Sequence, residues 1–374
     1  MGETKDDLDK LRASIRAKDD AILKLVAERI QLAKEIGKVK LAHNLPIKDF
    51  QVEKDVINRA RQKAREIGLY EQLAADQAKL LIQYAVMAQD EFHSRAMTRG
   101  DRDHHKILVV GGRGLMGRWL SDFFDSFGHQ VTLFDQAKVD RAGGEDRYPQ
   151  KSDLAEAIAG QDFIVLATPI SVTAQIIEAL VKLQTKATIF DIASLKSPLI
   201  PAIEQAEKAG LAITSIHPMF GPDVELLAGR NIIFCDCQNP ALTNKALALF
   251  EKTTANLLRM PLSQHDEVIG YILGFSHLHN LVFGQVLTQS GIAFTKLAEA
   301  GSTTFNAQLG VTAPVVNENQ DLYFEIQAEN TFTPQLIAGI RKALDQFDQS
   351  ICEKDRDGFR KLMQQAKDYL EPEA

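Results

Sequence analysis

The run Gly111-Gly112-Arg113-Gly114-Leu115-Met116-Gly117 follows directly on the apolar segment Ile107-Leu108-Val109-Val110. It precedes a stretch with Trp119, Leu120, Phe123 and Phe124 at helical spacing. Strand, glycine-rich turn and helix in that order leave few folds open. Gly112, Gly114 and Gly117 match GxGxxG, in which glycine permits a tight turn and close backbone approach. A pyrophosphate then meets free amides at the helix N-terminus. The motif alone is weak evidence, but the next apolar run, Val131–Phe134, is followed at once by Asp135. An acidic side chain at that distance beyond the glycines accepts hydrogen bonds from the adenosine ribose. The expected cofactor-binding set is Gly112, Arg113, Gly114, Leu115, Met116, Gly117 and Asp135, with Thr168 and Pro169 from a later strand end. An acid there, with no arginine beside it in the chain, points to NAD over NADP.

Further apolar runs at Phe163–Leu166, Thr188–Phe190, Ile213–Ile216 and Ile232–Phe234 alternate with helical stretches, which predicts a parallel sheet with crossover helices. From about Gln264 onward the pattern is helical. In an open parallel sheet, ligands bind beyond the carboxyl ends of the strands. Those ends carry Thr168-Pro169, Asp191 to Lys196, and His217 to Gly221. A histidine there can accept a hydroxyl proton while hydride departs, although a packed turn residue is an equal reading of His217. Ser194 and Lys196 read equally as helix-capping and solvent-exposed groups.

The first hundred residues are of another kind. Apolar positions from Leu8 to Val39 recur at helical spacing, predicting one helix of more than thirty residues. A turn follows around His43 to Pro46, then helices over Phe50–Glu66 and Gln72–Arg95. A helix that long buries its stripe most readily against a second copy of the chain. Arg29 and Lys40 lie within about 20° of one another on its surface, with Ala33, Ile36 and Gly37 between them. Arg12 is roughly 25 Å along the axis and about 100° around it, so it reaches that face only from a partner. The ordinary reading of such cations is a solvated surface.

Composition narrows the remaining classes. With 43 Lys+Arg against 50 Asp+Glu, the formal charge of -7 argues against a nucleic-acid binder. Residues 1–100 hold 19 basic and 16 acidic side chains, so the helical part is slightly basic. Three cysteines are too few for a disulfide framework, and Cys235 and Cys237 have no zinc-site spacing, so no metal is expected. Apolar runs are too short for a membrane span, and the N-terminus lacks the core of a signal peptide. A cytoplasmic multidomain protein is expected.

The combination VVGGRGLMG, DIASLK and IHPMFGP resembles the prephenate dehydrogenases of tyrosine biosynthesis, a likeness extending over most of Lys106–Asp368 through HDEVIGYILGFSHLHN. It implies oxidative decarboxylation of prephenate to 4-hydroxyphenylpyruvate, with His217 assisting deprotonation of the ring hydroxyl as hydride moves to NAD. It also implies Ser194 and Lys196 beside cofactor and substrate, His277 lining the substrate pocket, and Thr168 near the catalytic histidine. His265 and His279 have no comparable claim and read as core or surface residues. Asn306 stands where that family usually grips a substrate carboxylate with arginine.

The segments Leu11-Arg12, LVAERIQLAKEIGKVK and LPIKDFQVEK resemble the all-helical chorismate mutases over residues 6–93. That family forms intertwined dimers in which one arginine comes from the partner. The likeness implies that Arg12 and Arg29 bind carboxylates, Lys40 and Gln89 donate to the ether oxygen, and Asp49 and Glu53 hold the ring hydroxyl region. Val52 stands where an arginine is common and Ala85 where a serine is; Arg16 and Lys48 are candidate replacements for the missing cation.

Joined in this order, the modules are similar to the bifunctional chorismate mutase/prephenate dehydrogenases. The fold expected is multidomain α and α/β. An all-α three-helix mutase domain spans 1–95 and a linker 96–105. A Rossmann-like NAD domain follows over 106–258, then an all-α substrate and dimerisation domain over 259–374. The expected protein is a homodimer taking chorismate and prephenate, with NAD as cofactor. Two alternatives are the same folds acting on 4-amino-4-deoxychorismate and its prephenate counterpart, and a dehydrogenase whose helical module only dimerises.

Overall fold

The structure, a computed structural model, describes residues 2–43, 50–97, 104–135, 147–224, 227, 229–253 and 255–371. The chain divides into two compact units, Met1–Ala193 with Ile203–Met260, and Ser194–Ala202 with Pro261–Ala374.

The first unit opens with three helices, α1 (Gly2–Ala42), α2 (Phe50–Ile67) and α3 (Glu71–Met97). At 41 residues, α1 is about 60 Å long. Both α1 and α2 pack on α3, and the buried contacts are mostly small: Ala33 on α1, Ala64 on α2, and Ala74, Ala75, Ala78, Ala85 and Ala88 on α3. Small side chains let helix axes approach closely. Gly37 is needed for this, because a Cβ there would lie 3.0 Å from Gln89 Cγ. The larger apolar residues of α1, including Leu11, Ile15, Leu25, Leu32 and Val39, remain more than half exposed.

The rest of the first unit is built on an eight-stranded sheet. Its elements are β1 (Lys106–Val110), α4 (Leu115–Ser126), β2 (Gln130–Phe134), β3 (Gln150–Lys151), α5 (Leu154–Ala157), β4 (Phe163–Leu166) and α6 (Ile170–Leu183). They continue with β5 (Thr188–Asp191), α7 (Ile200–Lys208), β6 (Ile213–Pro218), β7 (Asn231–Asp236), α8 (Pro240–Ala248) and β8 (Asn256–Pro261). The spatial order is β3-β2-β1-β4-β5-β6-β7-β8. Because β2 and β4 flank β1, the order reverses there, which is where such sheets hold a ligand. Strands β4 and β5 are buried along their whole length and β1 along all but its first residue, as expected when helices cover both faces. Ile107, Val109, Leu120, Phe124, Phe190, Phe234 and Phe250 form the core.

The expectation of a wholly parallel sheet needs one correction. β7 runs antiparallel to β6, with Ser215 opposite Cys235 and Pro218 opposite Ile232. Parallel neighbours need a crossover, usually a helix, and the described residues between Pro218 and Asn231 contain none. Strands β3 and β8 were not foreseen. The first is two residues long, and the second is a half-exposed segment containing Arg259 and ending on Pro261.

The second unit is helical. It contains α9 (Leu262–Ile269), a π-helical segment over Gly270–Phe275, α10 (Ser276–Gln289), α11 (Phe294–Glu299), α12 (Thr303–Val316), α13 (Gln320–Ala328), α14 (Thr333–Cys352) and α15 (Arg356–Leu370). π-Helical turns concentrate at functional sites. Here Gln327 Nε2 donates to the Gly274 carbonyl at 2.8 Å, and a Cβ on Gly270 would lie 2.9 Å from Leu336 Cδ1. Among the described residues, no helix is long and apolar enough to cross a membrane.

Candidate active sites

In the helical segment, Arg29 is half-buried and its Nη1 donates to the Leu81 carbonyl at 2.7 Å, which fixes the guanidinium against α3. Gln89 is 6% exposed and packs over Gly37. Its Oε1 is buried with no hydrogen-bond partner among the described residues. An unsatisfied buried polar atom is costly. Lys40, half-buried, follows Gly37 by about one turn. The structure thus puts Gly37 and Gln89 in contact and leaves Arg29 and Lys40 on the same stretch of α1. Arg12 is exposed and paired with Asp9 at 3.3 Å, while Arg16 is exposed. Asp49 and Lys48 lie outside the described residues. Glu53 and Val52 lie on α2, with their side chains outside them. A cavity of about 500 Å³ opens between α1 and α3, lined by Leu23, Val26, Ile30, Leu80, Tyr84 and neighbours. None of Arg29, Lys40 and Gln89 lines it.

At the switch point of the sheet, the glycine loop has the form that a pyrophosphate needs. Gly111 has φ +78° and donates to the Phe134 carbonyl at 2.8 Å, and Gly114 donates to the Gly111 carbonyl at 3.0 Å. A Cβ on Gly117 would run into the Gly111 carbonyl, and one on Gly112 would lie 2.6 Å from Leu133 Cδ2. Among the described residues no side chain caps α4, so its first amides stay available to an anion. Leu115 is exposed and Met116 half-buried. Gly111 also abuts Ala167 O and Thr168 Cγ2, so the loops after β1 and β4 converge. Thr168 Oγ1 lies 2.8 Å from Thr173 Oγ1, and Pro169 directly precedes α6. These residues fit a dinucleotide.

Asp135 is not alone. The Arg113 amide donates to Asp135 Oδ2 at 3.0 Å, and Arg113 Nη2 reaches Gln150 Oε1 at 2.5 Å. Arg113 belongs to the expected cofactor-binding set, but chain order hid its contacts with Asp135 and Gln150, since only the pairing of β3 with β2 brings Gln150 alongside. His217 is the fifth residue of β6 and 2% exposed. The loop after it is tied to α4, because Trp119 Nε1 donates to the Val224 carbonyl at 2.6 Å. Trp119, read only as a helix-face residue, is therefore a support for the histidine's loop.

In the second unit, Lys196 has no exposed surface, which corrects its reading as a solvent-exposed group. Its amide donates to both oxygens of Asp266, at 2.9 and 3.1 Å, and the Ser197 amide adds a bond of 2.5 Å. His265 Nδ1 completes the cluster 2.6 Å from Asp266 Oδ1, so His265 is a core residue. Burial alone would raise the Asp266 pKa, but bonds from His265, Ser197 and the Lys196 amide outweigh it and hold the carboxyl below its usual range. Asp266 was missed because an acid beside Glu267 on a mostly polar helix reads as a surface residue. Ser194 is half-buried. His277 stacks on Tyr323 with ring centroids 4.1 Å apart, and its Nδ1 is buried with no partner among the described residues. Burial lowers its pKa, favouring the neutral ring. His279 is exposed. Asn306 is exposed in the first turn of α12 and folds back toward the Gly301 carbonyl at 3.5 Å. A cavity of about 620 Å³, lined by Asn330, Thr333, Arg341 and neighbours, includes neither His277 nor Asn306.

Comparison with known proteins accounts for both halves. The family Chorismate mutase type II matches residues 11–90. The family Prephenate dehydrogenase, nucleotide-binding domain, matches residues 125–259. The T-protein of Haemophilus influenzae is 24% identical over 364 residues, covering 97% of this chain and 92% of that protein. A chorismate mutase of Methanocaldococcus jannaschii is 32% identical over 85 residues, 23% of this chain and 86% of that protein. The fold matches prephenate dehydrogenase from Aquifex aeolicus, solved with hydroxyphenyl propionate and NAD+, at TM-score 0.58 and 17% identity, covering 72% of this chain and 98% of that one. A mutase-type helical segment with a fixed arginine and an orphaned glutamine, followed by a glycine cradle on a dehydrogenase sheet, has one reading: the chain belongs to the bifunctional chorismate mutase/prephenate dehydrogenases of tyrosine biosynthesis, an isomerase joined to an NAD-dependent oxidoreductase.

Proposed function

We propose that the two activities rest on two separate residue sets, with mutase residues in 1–95, the nucleotide site in 106–258 and further substrate-binding residues beyond it. The observation supporting the first set is Gln89, buried against Gly37 on the helix that also carries Arg29 and Lys40. Chorismate rearranges pericyclically, so no nucleophile, metal or acid–base pair is needed. The site must hold a compact conformer and put positive charge where the breaking C–O bond gathers electron density. Arg29, with Arg12 from the partner, binds the carboxylates. Lys40 and Gln89 donate to the ether oxygen, and Asp49 and Glu53 hold the ring hydroxyl region.

For prephenate, His217 accepts the ring hydroxyl proton, and aromatisation drives loss of carbon dioxide. NAD, when bound, takes the hydride. The uncapped start of α4 and Gly112 to Gly117 receive the pyrophosphate, Asp135 receives the ribose, and Thr168 and Pro169 border the loop. Ser194, Lys196, His277 and Asn306 bind or orient the substrate.

The chain acts as a homodimer. Exposed Leu11, Ile15, Leu25 and Leu32 on a 41-residue helix support this, as does the apolar cavity beside them. A cytoplasmic setting agrees with three free cysteines.

Two variants test the division. Arg29→Ala should abolish mutase activity and spare the NAD-dependent step. His217→Asn should slow oxidation about 10²- to 10⁴-fold, the usual contribution of a positioned base, with NAD affinity nearly unchanged. Mutase activity surviving in Arg29→Ala removes the pocket assignment, and loss of NAD binding in His217→Asn makes that residue structural. Turnover of 4-amino-4-deoxychorismate without turnover of chorismate would replace the hydroxy substrate by the amino one.

A further inference from the structure

The adenosine end of the dinucleotide site contains a cation whose nearness to Asp135 chain order conceals. Arg113 precedes Asp135 by 22 residues, yet its amide donates to Asp135 Oδ2 at 3.0 Å. Its guanidinium turns toward β3, where Nη2 donates to Gln150 Oε1 at 2.5 Å. Gln150 Nε2 returns to the main-chain oxygen of Asp135 at 3.3 Å. Arg113, Asp135 and Gln150 therefore close a ring at the carboxyl end of β2. The pairing of Leu133 with Gln150 and Phe134 with Lys151 sets its third member in place.

The two charged members of this ring favour different ligands. The Asp135 carboxylate accepts bonds from ribose hydroxyls and repels a phosphate on the 2′ oxygen. A guanidinium is planar, permanently charged and suited to gripping phosphate through two N–H groups. Lodging on Gln150 limits the rotamers open to Arg113, so less entropy is lost when it takes a ligand. Resting on the reading of this loop as a dinucleotide site, we propose that Arg113, positioned by Gln150, is a latent anchor for a ribose 2′-phosphate. Asp135 is the group that holds the site on NAD, and neutralising it lets the chain take NADP through Arg113.

Titration calorimetry on the full-length chain tests this without turnover, using NAD, NADP and adenosine 2′,5′-bisphosphate as a nicotinamide-free probe. Asp135→Asn keeps an acceptor for the Arg113 amide but loses the charge. It should bind NADP and the bisphosphate about 10- to 100-fold tighter than the parent chain, the fold-change of a hydrogen bond to a charged group. Adding Arg113→Ala should remove the whole gain, and adding Gln150→Ala should remove part of it. Arg113→Ala alone should weaken what NADP binding the parent has. A gain that persists in Asp135→Asn/Arg113→Ala overturns the proposal, as does the absence of any gain in Asp135→Asn. Failure of the parent chain to bind NAD would sink the dinucleotide reading itself, which separates the two failures.

Discussion

The indole N–H of Trp119 donates to the Val224 carbonyl at 2.6 Å, while its ring meets Phe220 edge-on with centroids 5.1 Å apart. Trp119 lies on the helix that follows the glycine loop, and Phe220 is three residues past His217. One side chain thus joins the nucleotide-binding helix to the segment presenting the proposed base. Trp119→Phe keeps an aromatic ring and deletes the donor, leaving the Val224 carbonyl to find water. Stability should fall by about 1 kcal/mol, the net value of one hydrogen bond. Oxidation of prephenate should slow by about tenfold, with NAD affinity within about twofold. Trp119 is also the single tryptophan of the chain, so parent emission should respond to substrate. An unchanged rate in Trp119→Phe would show that the contact only packs.

Gly117 allows α4 to start against the loop that precedes it. A Cβ there would collide with the Gly111 carbonyl and approach Gly112 Cα at 2.8 Å. Both contacts are backbone, so neither can swing aside. Gly117→Ala should therefore weaken NAD binding at least about tenfold. The mutase rate should stay unchanged, because α1 to α3 do not depend on that loop. Parallel calorimetry and mutase assays decide it, and intact NAD affinity in Gly117→Ala refutes the tight-turn account.

The elements that the sequence shows plainly are those whose signals are local. Ile107 to Val110 and Phe163 to Leu166 are unbroken apolar runs and α1 carries a helical stripe, and each forms where its pattern places it. β3 escapes because two residues, Gln150 and Lys151, cannot display a period; it exists only by pairing with β2. The antiparallel β7 is likewise invisible to a strand-by-strand reading, since direction is set by the connection rather than by Ile232 to Phe234. The same distinction separates the site residues. Gly112 to Gly117 and Asp135 announce themselves by spacing. Arg113 beside Asp135, Lys196 without exposed surface and Asp266 beneath it depend on contacts between distant segments, which no local pattern encodes.

Asp266 should give this chain a measurable acid sensitivity. Its folded pKa lies below the unfolded value of 3.8, because the bonds from His265, Ser197 and Lys196 outweigh burial. A carboxyl with a depressed folded pKa contributes stability above its unfolded pKa, and that stability is lost as pH falls through the folded value. Asp266→Asn loses the charge these donors bind and should destabilise the chain by about 1.5–3 kcal/mol at neutral pH. Its stability should also decline less than the parent's on acidification. Thermal melts from pH 7 downward test the sign, and parallel pH curves for parent and variant would exclude the assignment.

The stacking of His277 on Tyr323 makes an opposite kind of group. Burial lowers the His277 pKa from 6.5, so the ring is neutral at neutral pH and can accept a hydrogen bond at its buried Nδ1. The unfolded chain takes up this proton more readily than the folded one. The group's contribution to stability is therefore present above pH 6.5 and lost as pH falls below it. Tyr323→Phe preserves the ring face and should leave the imidazole titration nearly where it is. Tyr323→Ala uncovers the ring and should move its midpoint upward toward 6.5, while raising KM for prephenate more than it lowers kcat. NMR titration of the His277 ring separates the cases: equal midpoints in parent and Tyr323→Ala would mean that burial by Tyr323 is not what keeps the imidazole neutral.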